Sequence, residues 1–125
     1  MTQSEPDILI LREKIRPGEL ARLVNRFFGD MVKYVVDVER GIVAVGGELH
    51  ADAEQALLDS GSAQRDLWGA NYYPAKGEGD CIDFTALINI RPAAGNRSML
   101  IESRSIRERV REITFALIGR GEPLT

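Results

Sequence analysis

Residues 66–98 read DLWGANYYPAKGEGDCIDFTALINIRPAAGNRS, and this stretch decides which class of fold the chain can adopt. Ile82, Phe84, Ala86, Ile88 and Ile90 alternate with Asp83, Thr85, Leu87, Asn89 and Arg91. Such alternation predicts a strand over 82–91 with one apolar face and one mostly polar face. Trp68 to Tyr73 reads as its partner strand, and the Gly-bearing connection Pro74 to Asp80 as the tip of a long hairpin. Beyond Pro92 the Gly95-Asn96 pair signals a turn. The apolar face demands a core to bury it. The polar face is either the wet side of a sheet or the place for chemistry.

Working outward, Ile8 to Leu11 is a short apolar run, a first strand or a tether for the N-terminus. Pro17 suits the first turn of a helix, where its missing N–H costs nothing. Leu20, Leu23, Val24, Phe27, Phe28 and Met31 recur at helical spacing, and Gly29-Asp30 ends the pattern. Two β-branched runs, Tyr34 to Val38 and Ile42 to Val45, flank Glu39-Arg40-Gly41 and predict a hairpin in which Gly41 takes the left-handed position. A short helix follows from about His50, with Asp52 near its positive end and Gly61 as its stop. The last helix begins near Ser103 or Ser105, where Ser105 and Glu108 have capping-box spacing, and carries Ile106, Val110, Ile113 and Leu117 inward. The expected architecture is α+β: a two-layer domain with a mostly antiparallel four- to five-stranded sheet and helices packed on one face.

Composition narrows the function classes. The 125 residues make one domain (1–125) large enough for its own core. An apolar share of 44% and a charged share of 28% are those of a soluble globular protein. No apolar run is long enough to span a bilayer, and the opening MTQSEPDILILREKIRP lacks a signal-peptide pattern. Cys81 is the single cysteine, so no internal disulfide can form and a cytoplasmic location is expected. The net charge of -3 argues against a nucleic-acid partner, as phosphate backbones favour basic surfaces.

Two places hold chemistry-bearing residues. Asn89 and Arg91 end the polar face of the long strand, Asn96, Arg97 and Ser98 follow in the loop, and Asn71 lies on the partner strand. Guanidinium forks, amides and a hydroxyl together suit a carboxylate or phosphate. Internal ion pairing and turn geometry are the structural alternative. The second place is Glu48-Leu49-His50-Ala51-Asp52, where His50, the only histidine, could pair with Glu48 as a general base. Without a second histidine or a cysteine cluster the pattern does not specify a metal, and no cofactor is expected. Trp68, Tyr72, Tyr73 and Phe84 do not share one strand face, which disfavours a base-stacking platform. Arg104, Arg107 and Arg111 interleave with Glu102, Glu108 and Glu112, the pattern of a solvated helix face.

The segments Val36 to Gly41, Gly47 to Asp52 (GELHAD), Leu67 to Pro74 (LWGANYYP), and Ile88 to Pro92 (INIRP) followed by Gly95 to Ser98 (GNRS) resemble an uncharacterised family of small bacterial proteins known as a domain of unknown function. The resemblance runs from Tyr34 to the last helix. It implies a stand-alone bacterial cytosolic domain and brings no activity, cofactor or catalytic residue with it.

Together these readings lead to a non-catalytic domain that binds a small anionic ligand or a protein through Asn71, Asn89, Arg91, Asn96, Arg97 and Ser98. The alternative is a small hydrolase or isomerase using His50 or Glu48 with an arginine anion clamp. Homodimerisation through an open sheet edge is compatible with both.

Overall fold

The computed structural model describes residues 5–124. Strands β1 (Ile8–Leu11), β2 (Val32–Asp37), β3 (Ile42–Gly46), β4 (Leu67–Tyr72) and β5 (Ile82–Asp83) alternate with helices α1 (Pro17–Phe27), α2 (His50–Asp59) and α3 (Arg104–Leu117). The strands form one sheet in the order β1-β3-β2-β4-β5, and every neighbouring pair is antiparallel. The α+β class and antiparallel sheet expected from the sequence stand.

The β2–β3 turn follows from local chemistry. Gly41 takes a φ of 68° and donates its N–H to Asp37 O, while the buried Asp37 carboxylate accepts the N–H groups of Glu39 and Arg40. A carboxylate bonding backbone just downstream is the Asx device that closes tight turns. Its second oxygen accepts the Ser62 hydroxyl at 2.6 Å and ties the turn to the segment after α2.

Alternation along the strands divides the core in two. Tyr34, Val36, Val43, Val45, Trp68 and Ala70 pack with Leu20, Leu23 and Val24 of α1 and Val110, Ile113 and Leu117 of α3. Val35, Ile42, Ala44 and Leu67 point the other way, onto Ala53 and Leu57 of α2. Helices therefore cover both faces, where the sequence reading had placed them on one. The handedness of connections explains this. β1 and β2 run the same way on either side of β3, and β3 and β4 run the same way on either side of β2. Both crossovers advance across the sheet in one direction, but their strands point oppositely. Right-handed crossovers then must place α1 and α2 on opposite faces.

The strand expected over 82–91 is also corrected. Pairing with β4 stops after Asp83. Phe84 and Ala86 instead bond the returning chain, through Ile101 N to Phe84 O at 3.0 Å and Ala86 N to Met99 O at 3.1 Å. A 3-10 turn at Leu87–Asn89 then reverses the alternation. Asn89 becomes fully buried, while Leu87 is 71% and Ile90 43% exposed.

Candidate functional site: a cleft between α2 and β4

Asn89 turns inward because it completes the sheet edge that β5 abandons. Its amide accepts Gly69 N–H at 2.8 Å and donates to Gly69 O at 2.9 Å, the two bonds a neighbouring strand would have made. It also donates to Met99 O at 3.0 Å. Asn96, 4% exposed, directs its amide at the carbonyls of Asn89, Ser98 and Leu100 and accepts Glu102 N–H. Glu102 in turn accepts the N–H groups of Arg97 and Ser98, which holds its carboxyl below the ordinary range. The two asparagines are thus staples of the 84–102 segment, their polar atoms committed to backbone.

Arg91 stacks over Trp68, its guanidinium carbon 5.0 Å from the ring centroid, and pairs with Glu54 of α2 at 3.3 Å. Burial lowers its pKa, opposed by the Glu54 charge. With Glu54, Gln64 and Arg65 it lines a hollow of its own, which Arg97 does not join. Arg97 and Ser98 are exposed on the turn. The two arginines therefore do not converge on one pocket.

A different arrangement assembles around Asn71 and His50. A cleft of about 390 Å3 opens between the start of α2, β4 and the 85–88 segment, with Met99 at its side. That is within the roughly 300–1,000 Å3 typical of small-molecule sites. Its walls are mostly apolar: Leu49, Ala86, Leu87, Ile88 and Met99. Gly69 makes room for it. A Cβ there would stand 2.6 Å from Ala86 Cβ and 3.2 Å from the His50 ring, so only glycine lets these two close over β4.

The polar groups are few. Lys33, Asn71 and Asp83 form a cross-strand row over β2, β4 and β5, and Lys33 and Asn71 line the cleft. The Asn71 amide nitrogen donates to Asp83 Oδ2 at 3.0 Å and to Thr85 O at 3.3 Å. Asp83 also accepts the Thr85 hydroxyl. Asn71 is 7% exposed, and its Oδ1 has no hydrogen-bond partner. His50 Nε2 stands 2.9 Å from Ala70 O, and since a carbonyl only accepts, that nitrogen carries the proton. Burial lowers the His50 pKa, the Lys33 charge adds to this, and the Ala70 carbonyl, Asn71 and Asp83 oppose it. A neutral ring has one N–H. Directed at Ala70 O, it leaves Nδ1 an acceptor; Asn71 Oδ1 lies near enough to the ring to raise its pKa by hydrogen bonding but receives no well-aligned bond from it.

Helix α2 starts without a side-chain cap. Its first bonded amide is Asp52 N, to Leu49 O; those of His50 and Ala51, both cleft-lining, meet no acceptor among the described residues. Of the residues picked from the sequence, Asn71 and His50 meet here. Glu48 is exposed and outside the cleft lining; Asn89, Arg91, Asn96, Arg97 and Ser98 lie outside that lining too. Sequence reasoning missed Lys33, Leu49, Leu87 and Met99, because only strand register and the 3-10 turn bring them together. The unbonded start of α2 had a signal: Leu49 stands where Ser, Thr, Asp or Asn would cap. Among the described residues, no group of three metal-ligating side chains is assembled, and no helix is long and apolar enough to cross a membrane.

A family model described as a protein of unknown function (DUF5674) matches residues 9–117. No curated protein and no solved structure matches the chain.

Proposed function

The chain belongs to the DUF5674 family, whose function is unknown, and from the geometry of its cleft we propose that it is a non-catalytic domain binding a small ligand between α2 and β4. One observation carries the proposal: a buried acceptor, Asn71 Oδ1, has no well-formed hydrogen bond, on a residue that lines a mostly apolar cleft. An unpaired buried polar group costs about 1–3 kcal/mol, and native folds keep few without a use. Apolar walls with a few convergent polar groups are what small-molecule sites offer.

The enzymatic alternative has less support. Its arginine clamp is drawn off by Glu54, and Glu48 lies outside the cleft lining. Arg91 stays outside the proposed site because it lines the hollow beside Glu54 and not this cleft, although its Nη1, like Asn71 Oδ1, is buried without a partner. A cytoplasmic location belongs to the same reading, supported by the buried, unpaired Cys81.

Two-dimensional amide NMR with a panel of small polar-headed apolar fragments tests it. The expected result is saturable movement of the Ala51, Asn71 side-chain and Met99 resonances, lost in Asn71→Leu. A panel that leaves these three unmoved while shifting signals elsewhere would place binding outside the cleft and end the proposal.

A further inference from the structure

We infer that the cleft takes an α-amido carboxylate with an apolar side chain, the chemistry of an N-acylated apolar amino acid or of a polypeptide C-terminus. This rests on the binding reading above and assigns the ligand's class. Three features of one cavity specify the three parts of such a molecule.

The unpaired Asn71 Oδ1 is an acceptor, so the ligand must bring a donor. His50 directs its single proton at Ala70 O, so Oδ1 receives no well-aligned bond from the ring. The amides of His50 and Ala51 are donors at the positive end of a ten-residue helix. They call for an acceptor, preferably anionic. Lys33 lies directly across from Asn71 on β2 and lines the same cleft, and its ammonium, 5.1 Å from the centroid of the Phe28 ring, brings a positive charge to that side. The remaining wall, built from Leu49, Leu87 and Met99, is apolar, with Leu49 58% and Met99 44% exposed at its mouth. A ligand with only an anion would leave Oδ1 unpaired. One with only a donor would leave the helix start and Lys33 unmatched. A carboxylate next to an amide N–H and an alkyl group answers all three. The nearby acids lie outside the cleft lining. Asp83 is engaged by Asn71 Nδ2 and the Thr85 hydroxyl, and Glu48 and Asp52 are exposed residues outside the lining.

Three related probes separate the parts: N-acetyl-leucine, its uncharged amide N-acetyl-leucinamide, and 4-methylpentanoate, which keeps the carboxylate and alkyl group but lacks the acetamido group and with it the N–H. Titrated by NMR into the full chain, N-acetyl-leucine should bind at least tenfold more tightly than either. Lys33→Met should erase its advantage over the leucinamide, and Asn71→Leu its advantage over 4-methylpentanoate. Lys33 is half-exposed on β2, so its variant remains informative if Asn71→Leu fails to fold. Equal binding of all three probes at the cleft would overturn the ligand class and leave the binding site standing. No cleft response to N-acetyl-leucine, with fragments of other chemistry binding there, would overturn it too. A tripeptide ending in leucine that binds better than N-acetyl-leucine would assign the carboxylate to a polypeptide end; equal or weaker binding assigns it to a free acyl amino acid.

Discussion

Replacing Asn89 by alanine should be among the most damaging single changes in the chain, although the side chain is polar and fully buried. The Asn89 amide satisfies Gly69 N–H, Gly69 C=O and Met99 C=O at 2.8, 2.9 and 3.0 Å. Gly69 is buried, and β5 ends too early to pair with it, so neither of its groups has another partner in reach. Each buried backbone group left unpaired costs about 1–3 kcal/mol. Met99 is exposed, and water can take over its carbonyl. The two Gly69 groups alone then give a loss of about 2–6 kcal/mol, a large part of the roughly 5–15 kcal/mol of a typical domain. Urea unfolding followed by circular dichroism measures it. Asn89→Asp provides the internal comparison: it keeps an acceptor for Gly69 N–H but sets a charge against Gly69 C=O, and should be no more stable than the alanine variant. A loss below about 1 kcal/mol for Asn89→Ala, with the unfolding slope unchanged, would refute the idea that a side-chain amide stands in for a strand.

Other perturbations test the remaining elements. Gly69→Ala should cost about 1–3 kcal/mol by overpacking, since the added Cβ meets Ala86 Cβ at 2.6 Å, and a thermal melt unchanged from wild type would contradict that geometry. Arg91→Ala should lose about 2–4 kcal/mol by stranding the largely buried Glu54, whereas Arg91→Met with Glu54→Leu should recover most of it; additive losses in that double-mutant cycle would mean the pair is not coupled. His50 is held neutral below its ordinary pKa of 6.5, so the unfolded state binds more protons than the folded one as pH falls below that value. Its contribution is full above about pH 6.5 and declines on acidification through the lowered folded pKa; His50→Gln should flatten the stability profile there, and identical profiles would remove His50 as the cause.

Much of the fold is legible in the sequence. The β2–β3 hairpin was written in two β-branched runs around Gly41, and α1 in Pro17 and the apolar spacing from Leu20 to Phe27. For α3 the start near Ser103 holds, with the Ser103 hydroxyl accepting Ile106 N–H in place of the expected Ser105 cap. These signals are local: each depends on residues within about one turn or one strand of each other. The segment after Asp83 misled because alternation of side chains says nothing about where backbone partners are found. Phe84 and Ala86 pair with residues 99–101, and Asn89 pairs with Gly69 through its side chain, both contacts between positions far apart in sequence.

The candidate site divides along the same line. Residue type alone marks Asn71 and His50 as candidates. It does not show what Asn89, Asn96 and Arg91 do, because an amide or guanidinium looks the same in sequence whether it faces a ligand or a buried carbonyl. The sequence by itself determined the local elements and the supply of polar groups, since propensity, capping and periodicity act over a few residues. Only the tertiary structure decided that α1 and α2 take opposite faces, that Lys33 lies across from Asn71, and that one buried oxygen is left without a donor. Those outcomes rest on crossover handedness, strand register and the closure of a long segment over Gly69, which are properties of the whole chain packed at once.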